Sequence, residues 1–241
     1  MVNIFLSGGG MKGAYQYGFF KQIYKQKPNF KVDKVYASSI GSINSLPILT
    51  KRMASLGDFW EKPDIINKVL IPWNRVMDSS TLFQGIRRDP FDFFLDQITD
   101  VEWKIIQEKL TIIAHDKSTD SPIVFTNFES KSQLVDSICA SACFPGLYPP
   151  TNPNIIDGSL STFDIVEYEN KNEDWLILDL NGKSPRIFRN VESKKKHIFN
   201  PDHSRNIFYN NLSCINFTSC HLQSLIKNGE NHANKYLDRI R

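Results

Sequence analysis

Ser39 and Asp157 each combine a reactive side chain with a setting that would expose it. Ser39 stands in Ala37-Ser38-Ser39-Ile40-Gly41, between a short apolar run and a helical pattern. Small residues two before and two after a serine suit the nucleophile elbow, where a strand turns sharply into a helix and the hydroxyl protrudes. Ser38 fails that condition, because Tyr36 and Ile40 flank it at the same offsets. The serines also suit a plain helix cap, a common use of serine. Asp157 follows the short apolar stretch Asn154-Ile155-Ile156 and precedes Gly158. A carboxylate there can take the proton of a serine hydroxyl and let this weak nucleophile attack a carbonyl. The same pair also reads as an Asp-Gly turn after a strand.

A third element supplies no side-chain chemistry. Val2-Asn3-Ile4-Phe5-Leu6 breaks into Ser7-Gly8-Gly9-Gly10-Met11-Lys12-Gly13 and then turns amphipathic. A glycine loop between strand and helix presents consecutive N–H groups at the positive end of a helix dipole, where an anion is stabilised. That anion is either a phosphate or the oxyanion of acyl transfer. A dinucleotide site also needs a carboxylate at the end of the second strand, where this chain has serines. The Walker pattern fails as well, since Gly13 rather than Ser or Thr follows Lys12.

Positioning these groups requires alternating strands and helices. Runs at 2–6 and 32–37 read as strands, followed by helices over Ala14–Lys25 and Ser42–Met53. Further strands are expected at Leu110–Ala114, Ile123–Asn127, Asn154–Ile156 and Trp175–Leu180, with a helix over residues 129–142. Such alternation implies a parallel sheet covered on both faces. Residues 56–100 are rich in aromatics, among them Trp60, Trp73 and Phe94, and are read mainly as core. Lys183–Asn206 reads as a long polar loop before an amphipathic helix near Leu212–Lys227.

Taken together, the pieces resemble the patatin-like phospholipase family. The matching segments are Gly8 through Gly13, the elbow around Ser39, Ala140-Ser141 through Phe144-Pro145 to Tyr148-Pro149-Pro150, and Asp157-Gly158. They occur in the family's order, and the resemblance covers roughly residues 2 to 180. It implies a three-layer α/β/α sandwich with a mainly parallel central sheet. It also implies a Ser–Asp dyad hydrolase of lipid acyl esters. Ser39 would be nucleophile, Asp157 base, and the amides around Gly8, Gly9 and Gly10 the oxyanion hole. Lys12, Gly13, Gly41 and Gly158 would support the site, Lys12 by bracing the loop. Two positions depart from the family pattern: Ala37 replaces the first glycine of the elbow, and Ile40 the small residue after the nucleophile. Ala37 adds one methyl group, tolerable at negative φ. Ile40 is expected to stiffen the helix start and to crowd or shape the acyl pocket.

Composition narrows the alternatives. With 241 residues, 41% hydrophobic and 23% charged, the chain has the makings of one ordinary globular domain. Residues 1–182 are expected to form the catalytic core, completed by a basic segment over 183–241. No apolar run approaches the ~20 residues of a membrane span. The short apolar start lacks a basic leader, so a cytoplasmic protein without signal peptide is expected. Cys139, Cys143, Cys214 and Cys220 form no C-x-x-C pair and are expected to be buried thiols, the first two one turn apart on a helix. The five histidines show no metal spacing, and neither metal nor cofactor is expected. His115 closes an apolar strand but precedes Asp157, whereas the hydrolase order is Ser, acid, His. Charge is uneven: residues 1–182 hold 18 basic and 22 acidic residues, and residues 183–241 hold 11 and 4. On a lipid hydrolase, a basic segment containing Arg186, Arg189 and Lys194-Lys195-Lys196 would favour peripheral contact with an anionic membrane, while a plain solvated surface is the simpler reading. It carries no nucleic-acid-binding signature, and nucleic acid is not an expected partner.

Overall fold

A computed structural model describes residues 1–62, 94–143, 152–161, 173–182, 196–201, 213–216 and 218–240. The strands are β1 (Val2–Leu6), β2 (Val32–Ser38), β3 (Leu110–Asp116), β4 (Ser121–Phe125), β5 (Ile155–Ile156), β6 (Trp175–Leu178) and β7 (Lys196–Phe199). The helices are α1 (Gly13–Gln26), α2 (Ile40–Leu49), α3 (Met53–Glu61), α4 (Asp100–Lys109), α5 (Lys131–Ser141) and α6 (Ser219–Arg239). The sheet order is β4-β3-β2-β1-β6-β7, with β5 also on β3. Strands β3, β2, β1, β6 and β7 are mutually parallel, and β4 and β5 run antiparallel to β3. The result is the expected α/β architecture, a mostly parallel central sheet flanked by helices.

The central strands read as continuous apolar runs because both faces of a parallel sheet are covered. β1 and β6 are buried at every residue. Ile4, Leu6, Ala37 and Ile112 face the principal core, which gathers side chains from all six named helices. Phe5, Tyr36, Ile113, Trp175 and Ile177 form a second cluster on the opposite face. Helices α1 and α6 approach closely because glycines stand at their contact. A Cβ on Gly18 would lie 2.1 Å from the Ile226 carbonyl oxygen, and one on Gly229 would lie 2.2 Å from that of Tyr15.

Three element assignments differ from the sequence expectation. The helix expected over Ser42–Met53 is divided: α2 ends at Leu49 and α3 begins at Met53. Pro47 has no N–H to continue the ladder, and Lys51 takes a φ of +57° at the break. The last helix runs over Ser219–Arg239 rather than Leu212–Lys227. Gly229 and the polar residues around it mask a buried stripe of Leu222, Leu225, Ile226, Ala233, Tyr236 and Leu237 at helical spacing. Within the expected loop over Lys183–Asn206, Lys196–Phe199 forms strand β7 at the sheet edge, where only Phe199 is buried. Edge strands tolerate such polar sequences, so the period-two signal is faint.

Trp60 is a core residue, as read from the sequence, and Phe94 packs half-buried against the core. Trp73 and most of the aromatic stretch lie outside the described residues, as do Phe144 through Pro150, Arg186, Arg189, Lys194 and Lys195. No described helix is long and apolar enough to cross a membrane.

Candidate active site

The site forms where β1 and β2 end side by side, with Leu6 paired to Ala37. Parallel neighbours deliver both exits to the same sheet edge, where open α/β sheets bind ligands. From β2 the chain turns at Ser39, with φ +53° and ψ −127°, and enters α2 at Ile40. A non-glycine residue there costs on the order of 1–3 kcal/mol and persists only where its surroundings fix it. Three contacts do so. The Ser39 N–H donates to Ser141 Oγ at 2.9 Å. The Ser39 carbonyl accepts from Ser42 N–H at 2.9 Å and from Ser42 Oγ at 2.6 Å. Gly41 lets the turn close on β1, since a Cβ there would lie 2.2 Å from the Leu6 carbonyl oxygen.

Asp157 reaches the serine from the other direction. Strand β5 pairs with β3 at His115 and Asp116, and Asp157 caps the 3-10 turn Gly158–Leu160. Its Oδ1 accepts the Ser159 N–H at 2.8 Å, and its Oδ2 accepts the Ser39 hydroxyl at 2.6 Å. Asp157 is fully buried and Ser39 is 9% exposed, so little water competes for this bond. Gly158 permits the approach, because a Cβ there would overlap the Ile113 carbonyl. Sequence positions 118 apart thus meet as hydroxyl and carboxylate.

The glycine loop packs against this pair. A Cβ on Gly8 would stand 2.6 Å from Cβ of both Ser39 and Ser159. The Gly8 N–H donates to Ser38 Oγ at 3.1 Å, so the other elbow serine holds the loop. The Met11 and Lys12 amides donate to the carbonyls of Cys214 and Gly9. The Gly9 and Gly10 amides make no hydrogen bond to another described residue, and they precede the amino end of α1. Lys12 is buried and donates to the Leu180 carbonyl at 3.2 Å. Gly13 makes room for Ile40 and Trp60, whose atoms would lie within 2.7 Å of a Cβ there.

That packing also places Ile40. Its side chain is buried in the principal core, beside Gly13 and Trp60. The β-branched residue therefore stiffens the start of α2 from behind. Ala37 is likewise fully buried in strand β2.

Other polar residues near the site carried little sequence signal. Gln16 donates to the Ser7 carbonyl, Asn44 donates to Gln16 and to the Gly13 carbonyl, and Trp60 donates to Asn44. This buried network ties α1, α2 and α3 to the loop. Ser141 lay in a quoted motif, yet its role needs the fold: it accepts from Ser39 and donates to the Ile113 carbonyl at 2.5 Å.

Burial raises the thiols of two cysteines. Cys143, just past the end of α5 rather than on it, is buried, and its thiol is pushed up to about 12. Burial is the main cause, reinforced by the Asp157 carboxylate. Burial also raises the Cys214 thiol, against the opposing pull of Lys12. All four cysteines are thiols, but only Cys143 is buried; Cys139 and Cys214 are half-buried and Cys220 is exposed, contrary to expectation. His115 turns its Nε2 toward Asp120 at 3.2 Å, and no bond joins it to Ser39 or Asp157. No group of three or more potential metal ligands occurs among the described residues.

Comparisons with known proteins identify the family and the fold. A family model described as Patatin-like phospholipase matches residues 4–167. VipD from Legionella pneumophila has a similar fold, with a TM-score of 0.52 at 10% identity, covering 99% of this chain and 67% of VipD. Two structures of the type III secretion effector ExoU also match. In the ExoU–SpcU complex from Pseudomonas aeruginosa, the TM-score is 0.42 at 13% identity over 99% of this chain and 51% of the other. For ExoU by itself the values are 0.47 and 14%, over 97% and 53%. The chain therefore spans about two thirds of VipD and about half of ExoU. Among curated proteins, no sequence matches significantly. With two thirds of its residues under the family model and its signature segments in order, the chain belongs to the patatin-like phospholipase family, whose common activity is lipid hydrolysis.

Proposed function

We propose that the protein is a lipid acyl hydrolase of the phospholipase A or lysophospholipase type, using Ser39 as nucleophile and Asp157 as base. The observation that carries this reading is the 2.6 Å bond from Ser39 Oγ to Asp157 Oδ2 at a strained, buried elbow. In the proposed reaction Asp157 takes the hydroxyl proton as Oγ attacks the ester carbonyl carbon. The carbonyl π pair moves onto oxygen, where the Gly9 and Gly10 amides donate to it. Gly8 supports them through its bond to Ser38. Loss of one such donor typically raises the barrier by about 2.7–4 kcal/mol. The tetrahedral species then expels the alcohol, which leaves with the proton from Asp157. Water attacks the acyl-serine with Asp157 again as base and releases the fatty acid. These steps call for no metal or cofactor.

The same reading takes residues 1–182 as the catalytic core and 183–241 as its completion. The close seating of α6 on α1 at Gly18 and Gly229 supports that division. Peripheral contact of the basic segment with an anionic membrane, in a cytoplasmic protein, belongs to the same proposal. Fluorophosphonate labelling of wild type, Ser39→Ala and Asp157→Asn tests the dyad, with fatty acid release from mixed phospholipid vesicles measured in parallel. Labelling that requires Ser39, with lipid release lost in both variants, is the expected result. Substantial hydrolysis by Asp157→Asn would sink the dyad. Faster turnover of a dispersed short-chain ester than of vesicles would move the substrate to soluble esters. A folded wild type that does not label would make the protein a lipid-binding relative.

A further inference from the structure

We propose that Asn181, beyond β6, is a positioning residue that sets the direction of the Gly9 N–H by holding the Gly8 carbonyl; the inference rests on the oxyanion role given above to that amide. The Asn181 side-chain amide donates to the Gly8 carbonyl at 2.6 Å. Gly8 C=O and Gly9 N–H belong to one peptide unit, which is trans, since the described chain has no cis peptide bond. In a planar trans unit the two groups point in opposite directions. Fixing the carbonyl on Asn181 therefore fixes the N–H on the other side.

This unit needs an external hold. It lies between two glycines, so no Cβ restricts its rotation. The Gly8 N–H is tied to Ser38, but that bond belongs to the preceding peptide unit. On the carbonyl side the other donor is Ser7 Oγ, at a longer 3.3 Å. Ser7 Oγ in turn accepts the Leu180 N–H at 2.6 Å.

Asn181 is itself well anchored through its backbone. The buried Asp179 carboxylate accepts the amides of Asn181 at 3.1 Å and Gly182 at 2.9 Å. Gly182 takes φ +71°, which closes this turn. The Asp179 N–H donates to the Phe199 carbonyl, and Lys12 holds the Leu180 carbonyl. A rigid turn on the neighbouring strand thus presents one amide donor to one carbonyl of the loop. Its residue lies 173 positions away in sequence.

Asn181 is solvent-exposed, so substitution there leaves the core intact. The test compares Asn181→Ala, Asn181→Asp and Asn181→Gln with wild type and Ser39→Ala. The readouts are kcat and KM on a dispersed p-nitrophenyl ester, the rate of fluorophosphonate labelling, and Tm. Asn181→Ala should lower kcat and the labelling rate about tenfold, part of the 10²–10³ that loss of a whole donor costs. KM and Tm should stay near wild type. Asn181→Asp keeps the shape but sets an acceptor against the carbonyl and a negative charge beside the oxyanion. Its loss should exceed that of alanine, and Asn181→Gln should recover part of the rate. Wild-type kcat in both Asn181→Ala and Asn181→Asp, with Ser39→Ala inactive, would overturn the positioning role alone. A rate loss matched by a fall in Tm, or carried by KM, would overturn it too. An active Ser39→Ala would instead overturn the reading on which it rests.

Discussion

At the carboxyl ends of β1 and β2 the chain holds Ser39 at φ +53° and Gly10 at +56°, with two glycine amides facing no described acceptor. At the amino ends, the same layers close through several paired and capped polar groups. Arg52, between α2 and α3, makes a two-pronged contact with Glu102, both bonds 2.8 Å long. Thr99 and Glu102 form a reciprocal capping box at the start of α4. Lys109 donates to the Val32 carbonyl at the start of β2, and Lys51 donates to that of Pro28. Positive φ is found at both ends, at Ser39 and at Lys51, but only the first end leaves loop donors open beside a buried hydroxyl–carboxylate pair, while the other pairs its ions and caps its helix locally. Strain persists where surrounding structure over-determines it, and at the candidate site that support comes from Ser141, Ser42, Leu6 and Gly41.

If this contrast is correct, substitutions at the two ends should separate activity from stability. The largest effect is expected for Ser39→Gly, which should lower ester turnover by about 10⁴-fold or more. Its Tm should hold or rise despite the lost bond to Asp157, because glycine relieves the positive φ. A marked fall in Tm would show that the elbow is unstrained. Gly41→Ala should act on both quantities. Its methyl group meets the Leu6 carbonyl, and a loss of about 3 kcal/mol in denaturant unfolding is expected, with activity falling alongside. Ser141→Ala should cost about 1–2 kcal/mol of stability, because the Ser39 N–H loses its buried acceptor. It should also lower kcat about tenfold as the elbow loosens, and Ser141→Thr should restore part of both. Equal kcat in Ser141→Ala would mean that the neighbouring contacts suffice.

The smallest effect belongs to the opposite end. The Arg52 guanidinium, followed by hydrogen bonds from Thr99, holds the Glu102 carboxyl down to about 2. The group is ionised in the folded protein well below its unfolded value of about 4.3. Its stabilisation is therefore present above about pH 4 and is lost as pH falls toward 2. Both side chains are partly exposed, so Arg52→Ala should cost only about 0.5–1 kcal/mol at neutral pH. The difference from wild type should shrink on acidification, and kcat should not change. A pH-independent deficit would assign the effect to packing of the arginine stem.

The parts of the site legible in the sequence are those whose requirements are local. Ser39 needs small neighbours at two fixed offsets, the glycine loop needs a strand before it and a helix after it, and Asp157 needs a strand end followed by glycine. These conditions lie within a few residues of each chemical group. The central strands were equally legible, since burial on both faces makes them apolar throughout. The split of α2 from α3, the edge strand β7 and the true span of α6 were less so. There a proline inside a helix, a polar edge and a glycine in a buried stripe each opposed the simple pattern.

By itself, the sequence marked Ser39 and Asp157 as candidates, because side-chain chemistry and turn formation depend on residue type and immediate neighbours. Tertiary structure decided how those residues are held. Ser141 meets Ser39 across 102 positions and Asn181 meets Gly8 across 173, through pairings that only the sheet order creates. It also turned Ile40 into the core and committed the Gly8 amide to Ser38. A hydrogen bond's direction depends on where two distant backbones come to rest, and no local pattern of residue types encodes that.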